Sequence, residues 1–170
     1  MKYAIDSNIL ITASNNTYPL DVFPSFWEKI SSLLMSGDII IIDKVYDEVI
    51  QGTDHLSNWL KNEKINKGPT GTVNVNTSLA FVSDISQGLV KSNFYSGQQT
   101  LDVFFRGADP YLIAFCKANG CVCVTEETIN NMQPNQRKGF SRIKIPDIAA
   151  KVGVTCINTI EMLRRLKTLI

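Results

Sequence analysis

The chain has 170 residues, 44% of them hydrophobic, with four cysteines and a formal net charge of +1. That length and apolar content bury one substantial core and fall short of two. No apolar run approaches the roughly 20 residues of a membrane span, and Met1-Lys2-Tyr3-Ala4-Ile5-Asp6 lacks the apolar stretch of a signal peptide, so a cytoplasmic single domain over residues 1–170, with no membrane partner, is expected.

In chain order, the first strand pattern covers residues 2–5 and closes at Asp6, where Asp6-Ser7-Asn8 reads as a turn. A helix is predicted over residues 23–36, with Phe26, Ile30, Leu33 and Leu34 at helical spacing and Gly37 as its stop. A second strand takes 39–42. Helices follow over 43–51 and 54–64, the latter carrying Leu56, Trp59 and Leu60 on one face. His55, the single histidine, lies at the polar start of that helix, which suits a surface or capping role. Residues 66–77 are rich in turn formers and read as a loop.

Helices at 78–91, 100–105 and 110–119, the last stopped by Gly120, lead to a strand at 121–124. After a polar stretch at 130–139 come a short strand at 143–145, a helix over 146–151, a strand at 154–157 and a closing helix from residue 159. Short aliphatic runs alternating with helical patterns argue for βαβ units, an α/β class and a mostly parallel sheet.

Cys116, Cys121, Cys123 and Cys156 include a Cys-x-Cys pair, but the surroundings are apolar and no Cys/His pair stands at zinc-finger spacing, so buried free thiols are expected. Residues 137–170 carry eight Lys/Arg against two acids, and residues 1–136 carry nine against fourteen. This asymmetry suits a protein that holds cations in a pocket with phosphates beside it. It equally suits a solvated helix face bearing Arg164, Arg165 and Lys167.

Several acids fall after strand patterns or open a helical run. Asp6 closes the first strand, Glu48 follows the second, Asp109 opens Asp109-Pro110-Tyr111-Leu112-Ile113-Ala114, and Glu126-Glu127 follow Val122-Cys123-Val124-Thr125. In an open parallel sheet the loops at the strands' carboxyl ends form the ligand crevice. Each acid also has an ordinary structural account. Asp109 before Pro110 is a good helix N-cap, Glu48 fits an exposed helix position, and Glu126, Glu127 and Asp147 fit the first turn of a helix. Jointly the acids are harder to explain structurally. Clustered carboxylates repel one another unless a cation neutralises them, and Mg²⁺ and Mn²⁺ favour oxygen ligands. A metal-assisted phosphodiesterase uses such a cluster.

The order Asp6-Ser7-Asn8 after the first strand, Glu48-Val49 after the second, Asp109 before Leu112-Ile113-Ala114, then Val124-Thr125-Glu126-Glu127, resembles the PIN-domain nucleases, specifically the PIN-like DUF4411-type proteins. The tail Lys144-Ile145-Pro146-Asp147-Ile148 followed by Gly153-Val154-Thr155-Cys156-Ile157-Asn158 is similar to that subgroup, so the likeness spans nearly the whole chain. The resemblance implies a single three-layer α/β/α domain, an acidic pocket for Mg²⁺ or Mn²⁺ and hydrolysis of RNA by a metal-activated water. It also implies service as the toxin of a toxin–antitoxin pair, with a cognate antitoxin and a homodimer as further partners.

Asp6, Glu48 and Asp109 match the family's three core acids. Where PIN proteins often carry an aspartate two residues after the threonine, this chain has Glu127, with Glu126 between. Asp147 is a further metal-ligand candidate. Asn8 and Thr125 match polar positions beside the acids, and Lys144 is a candidate phosphate contact.

The leading expectation is therefore a metal-dependent endoribonuclease in which Asp6, Glu48 and Asp109 hold the ion and Glu127 completes the pocket. A catalytically inactive PIN-like module that binds RNA or protein is the alternative. A third reading, a phosphohydrolase of the haloacid-dehalogenase type, is disfavoured because Asp6-Ser7-Asn8 lacks that signature's second aspartate. Tyr18, Trp59, Phe94 and Tyr95 are candidate base-stacking rings for which packing is the commoner role.

Overall fold

The structure, a computed structural model, describes residues 1–62, 98–130 and 142–167. Its framework is a four-stranded parallel sheet of β1 (Tyr3–Ile5), β2 (Ile39–Ile40), β3 (Val122–Val124) and β4 (Cys156–Ile157), in the order β2-β1-β3-β4. Tyr3 pairs with Ile39 on one side and Val122 on the other, and Cys123 pairs with Cys156. Every residue of β1 and β3 is buried, so both faces of the central strands are covered. That explains their continuous apolar runs in place of alternation. The α/β class and parallel sheet read from the sequence are those of the molecule.

Eight α-helices accompany the sheet among the described residues: α1 (Ser7–Thr12), α2 (Pro24–Ser36), α3 (Asp43–Ile50), α4 (His55–Asn62), α5 (Gln98–Arg106), α6 (Asp109–Asn119), α7 (Ile145–Lys151) and α8 (Thr159–Arg165). α2 begins with Pro24, whose missing N–H costs a first turn nothing, and buries Phe26, Ile30, Leu33 and Leu34. It ends where Gly37 adopts φ 76°, a left-handed conformation that a side chain would oppose. Gly120, at φ 63°, ends α6 in the same way.

Three local expectations need correction. Asp6-Ser7-Asn8 is not a free turn, because α1 starts directly after Asp6 and continues into a π-helical turn at Ala13–Thr17. Ser-Asn-Ile-Leu-Ile-Thr is a poor helix sequence by propensity, and burial of Ile9 and Leu10 overrides it. Residues 143–145 form no strand: Ile145 is the first residue of α7, with Lys144 as its N-cap and Pro146 in the first turn. Ile143 and Ile145 are both buried, which produced the strand-like period in a run too short to distinguish the two. Glu126 and Glu127 open no helix, since residues 126–130 are irregular.

The expected loop at 66–77 and helix at 78–91 lie outside the described residues, as do Phe94 and Tyr95. Tyr18 stacks on Phe26 at 4.2 Å, and Trp59 meets Trp27 edge-on at 4.8 Å, so both rings pack against the core. All four cysteines are free; three are buried and Cys156 is half-buried. His55 is exposed at the start of α4. Among the described residues no helix is long and apolar enough to cross a membrane.

Candidate acidic site at the switch point of the sheet

The chain leaves β1 toward β2 on one side and leaves β3 toward β4 on the other. A crevice therefore opens between the carboxyl ends of β1 and β3, the position at which open α/β sheets bind ligands. Asp6 stands at the end of β1, its N–H donating to Val124 O at 2.9 Å, and Thr125 stands at the end of β3, its N–H donating to Ile157 O at 3.0 Å. Backbone pairing thus fixes both before any side chain is considered.

Thr125 is the hub of a side-chain network. Its hydroxyl donates to Asp6 Oδ2 at 3.1 Å and accepts from Asn8 Nδ2 at 3.1 Å and from the Glu127 N–H at 3.2 Å. One donor and two lone pairs are then all used. Asn8 closes the loop by accepting from the Glu126 N–H at 3.2 Å. Asp6 is 3% exposed, and burial pushes its carboxyl up to about 6. The Thr125 hydrogen bond and the Ser7 amide oppose that rise, while the charges of Glu127 and Glu48 add to it.

Glu48, on α3, joins two neighbours. Its Oε2 accepts from Ser7 Oγ at 3.0 Å and its Oε1 from the Ala108 N–H at 2.9 Å. The Ser7 hydroxyl also faces Asp6 Oδ1 at 3.4 Å, so a single proton sits between the two carboxylates. The exposed-helix account of Glu48 therefore does not describe it; the residue is half-buried and doubly bonded.

Asp109 is the first residue of α6, and the N-cap is Ala108, which makes no side-chain cap. The capping role expected of Asp109 is absent. Its carboxylate accepts no hydrogen bond among the described residues. Burial first, then the charges of Asp6, Glu127 and Glu48, push it up to about 7, with Arg142 opposing. Four acids from β1, α3, α6 and the segment after β3 therefore share one electrostatic neighbourhood.

The other candidates lie elsewhere or are engaged. Glu127 accepts from Arg142 Nη2 at 3.0 Å and from the Ile145 N–H at 2.8 Å, one on each oxygen. Glu126 accepts from the Thr159 N–H at 3.1 Å and from the Thr159 hydroxyl, which turns it to the start of α8. Asp147 holds Asn130 through the backbone N–H at 2.7 Å and the side-chain amide. Lys144 is half-buried at the N-cap of α7. Beside Glu127 a cleft of about 290 Å³ is lined by Thr125, Thr128, Ile129, Pro146, Ile157 and Asn158 among others.

Sequence reasoning missed Ser7 and Arg142. Ser7 carried a signal as the residue between Asp6 and Asn8, and Arg142 carried only its place in the basic tail.

Among the described residues, no three of the His, Cys, Asp and Glu side chains converge closely enough to hold a metal ion as they stand. The donor chemistry nonetheless suits a hard divalent ion. All the donors are carboxylate oxygens, and Asp6 and Asp109 are both raised, by burial first and then by the charges of neighbouring carboxylates. Mg²⁺ needs only about one or two protein carboxylates, the rest of its shell being water and substrate phosphate. Asp6 and Asp109 are the residues that would meet that smaller requirement.

No curated protein and no solved structure matches the chain. A family model does match, over residues 3–170, and its description is a domain of unknown function, DUF4411. The chain therefore belongs to the DUF4411 family.

Proposed function

We propose that the chain is a PIN-like, metal-dependent endoribonuclease whose Mg²⁺ or Mn²⁺ is held by Asp6 and Asp109 with Glu48. The observation that supports this most is the pair of buried Asp6 and half-buried Asp109 at the sheet's switch point, raised to about 6 and about 7 in part by neighbouring carboxylates. A fold gains nothing from that repulsion, whereas a cation-binding site uses it. When bound, the ion supplies Lewis-acid activation of water and neutralises charge at the scissile phosphate.

The chain's own residues prepare that chemistry. Thr125 and Asn8 fix the Asp6 carboxylate, Ser7 spaces Asp6 from Glu48, and Glu127 adds negative charge to the pocket wall. Lys144 is the candidate phosphate contact on the approach. Service as a toxin would add a cognate antitoxin that covers this pocket, and a homodimer would present two such pockets.

The test is cleavage of single-stranded and structured RNA with Mn²⁺ or Mg²⁺ by the native chain, by Asp109→Asn and under EDTA. Cleavage by the native chain alone supports the reading. Equal cleavage by Asp109→Asn rejects the site, and no cleavage by the folded native chain rejects the activity. A second reading, an inactive RNA- or protein-binding module, draws on Glu127, both of whose oxygens are engaged. It predicts RNA binding that survives EDTA without cleavage.

A further inference from the structure

Arg142 stands at the wall of the acidic pocket with its backbone pinned and its side chain open. Its carbonyl oxygen accepts from Asn130 Nδ2 at 3.3 Å, and Asn130 is held in turn by Asp147. Three residues on, the Ile145 N–H is fixed on Glu127 Oε2 at 2.8 Å. The Arg142 Nη2 lies 3.0 Å from Glu127 Oε1, yet the Arg142 side chain is 75% exposed while that of Glu127 is 11% exposed. Glu127 takes one of the five N–H donors of the guanidinium, and the side chain is otherwise largely exposed. The positive charge reaches across the crevice, since it is among the groups acting on Asp109.

An ion pair so exposed contributes little to stability, typically about 0–1 kcal/mol. What it does provide is orientation: a carboxylate that holds one corner of a guanidinium leaves a planar fork directed at whatever enters. Such a fork matches two oxygens of a phosphate, which a lysine ammonium does not.

We propose that Arg142 contacts a phosphodiester of the RNA strand entering the acidic crevice, and that Glu127 is the positioning residue that aims it. The assignment rests on the nuclease reading of the site, and it separates the fourth acid from the first three. Asp6, Glu48 and Asp109 face the ion, while Glu127 faces the residue that meets the substrate.

The test is binding of a fluorescein-labelled single-stranded RNA oligonucleotide, measured by anisotropy in EDTA across a salt series. Arg142→Gln is expected to weaken binding about tenfold and to reduce the slope of log Kd against log salt by about one. Arg142→Lys is expected to keep the slope and recover only part of the affinity. In a Glu127→Gln background the loss on Arg142→Gln shrinks, which a merely structural Glu127 would not produce. Mn²⁺ affinity, followed by electron paramagnetic resonance, does not fall in Arg142→Gln, because the lost charge is positive.

Unchanged RNA affinity and slope in a folded Arg142→Gln, or no RNA binding by the native chain, would overturn the assignment. Failure of the nuclease reading is seen separately, as absence of metal-dependent cleavage by the native chain.

Discussion

Thr125 Oγ1 donates to Asp6 Oδ2 across 3.1 Å, joining the carboxyl ends of two neighbouring parallel strands that are 119 residues apart in sequence. The bond is buried, and the same oxygen accepts from Asn8 and from the Glu127 amide. One hydroxyl therefore holds three parts of the site together.

Removing that hydroxyl isolates its partners. Thr125→Val is expected to destabilise the fold by about 1–3 kcal/mol, because Asp6, Asn8 and the Glu127 N–H each lose a buried partner. Thr125→Ser should recover most of that loss. Urea unfolding of the three proteins measures it, and a Val variant as stable as the native chain would refute the network's importance.

Stability without metal should fall as pH rises. An aspartate in the unfolded chain titrates near the ordinary value of 3.8, while Asp109 in the folded chain titrates at about 7 and Asp6 at about 6. The native state thus binds more protons than the unfolded state between about pH 4 and 7, so stability is lost as pH climbs through that window. For Asp109, allowing for its partial exposure, the loss is on the order of 2 kcal/mol. Asp109→Asn should flatten this slope and melt higher than the native chain at pH 8. Melting curves at pH 5 and pH 8 in EDTA decide it.

Metal should reverse the same penalty. Mn²⁺ at about one hundred times its Kd is expected to stabilise the native chain by roughly 2.7 kcal/mol. In Asp109→Asn most of that gain should vanish together with RNA cleavage. Equal metal stabilisation of both proteins would place the ion elsewhere.

Glu126 provides the contrasting case. It holds the start of α8 through Thr159 and is not among the charges that raise Asp6 or Asp109. Glu126→Ala should therefore cost about 1–2 kcal/mol of stability while leaving RNA cleavage per folded molecule unchanged. A variant that is stable but inactive would return Glu126 to the metal site.

The long periodic elements were legible before folding. Phe26, Ile30, Leu33 and Leu34 announced α2, and Gly37 and Gly120 announced two helix ends, because helical spacing and left-handed glycine stops are local signals. The start of α1 was hidden, since Ser7–Thr12 is helical only by virtue of what Ile9 and Leu10 pack against. The run Ile143-Lys144-Ile145 misled for a related reason: alternating burial arises from any buried edge, strand or helix start.

Among the acids, the sequence by itself determined that Asp6, Glu48 and the pair Glu126-Glu127 come after strand patterns and that Asp109 opens a helix. The position of each strand along the chain is a local regularity of apolar runs, so one chain suffices to read it. Only tertiary structure decided how those acids divide. Glu126 turned to Thr159, Glu127 to Arg142 and Ile145, and Asp147 to Asn130, while Asp109 has no donor among the described residues. Hydrogen-bond partners are set by which backbone amides and side chains arrive within about 3 Å, and those arrivals come from segments tens of residues away.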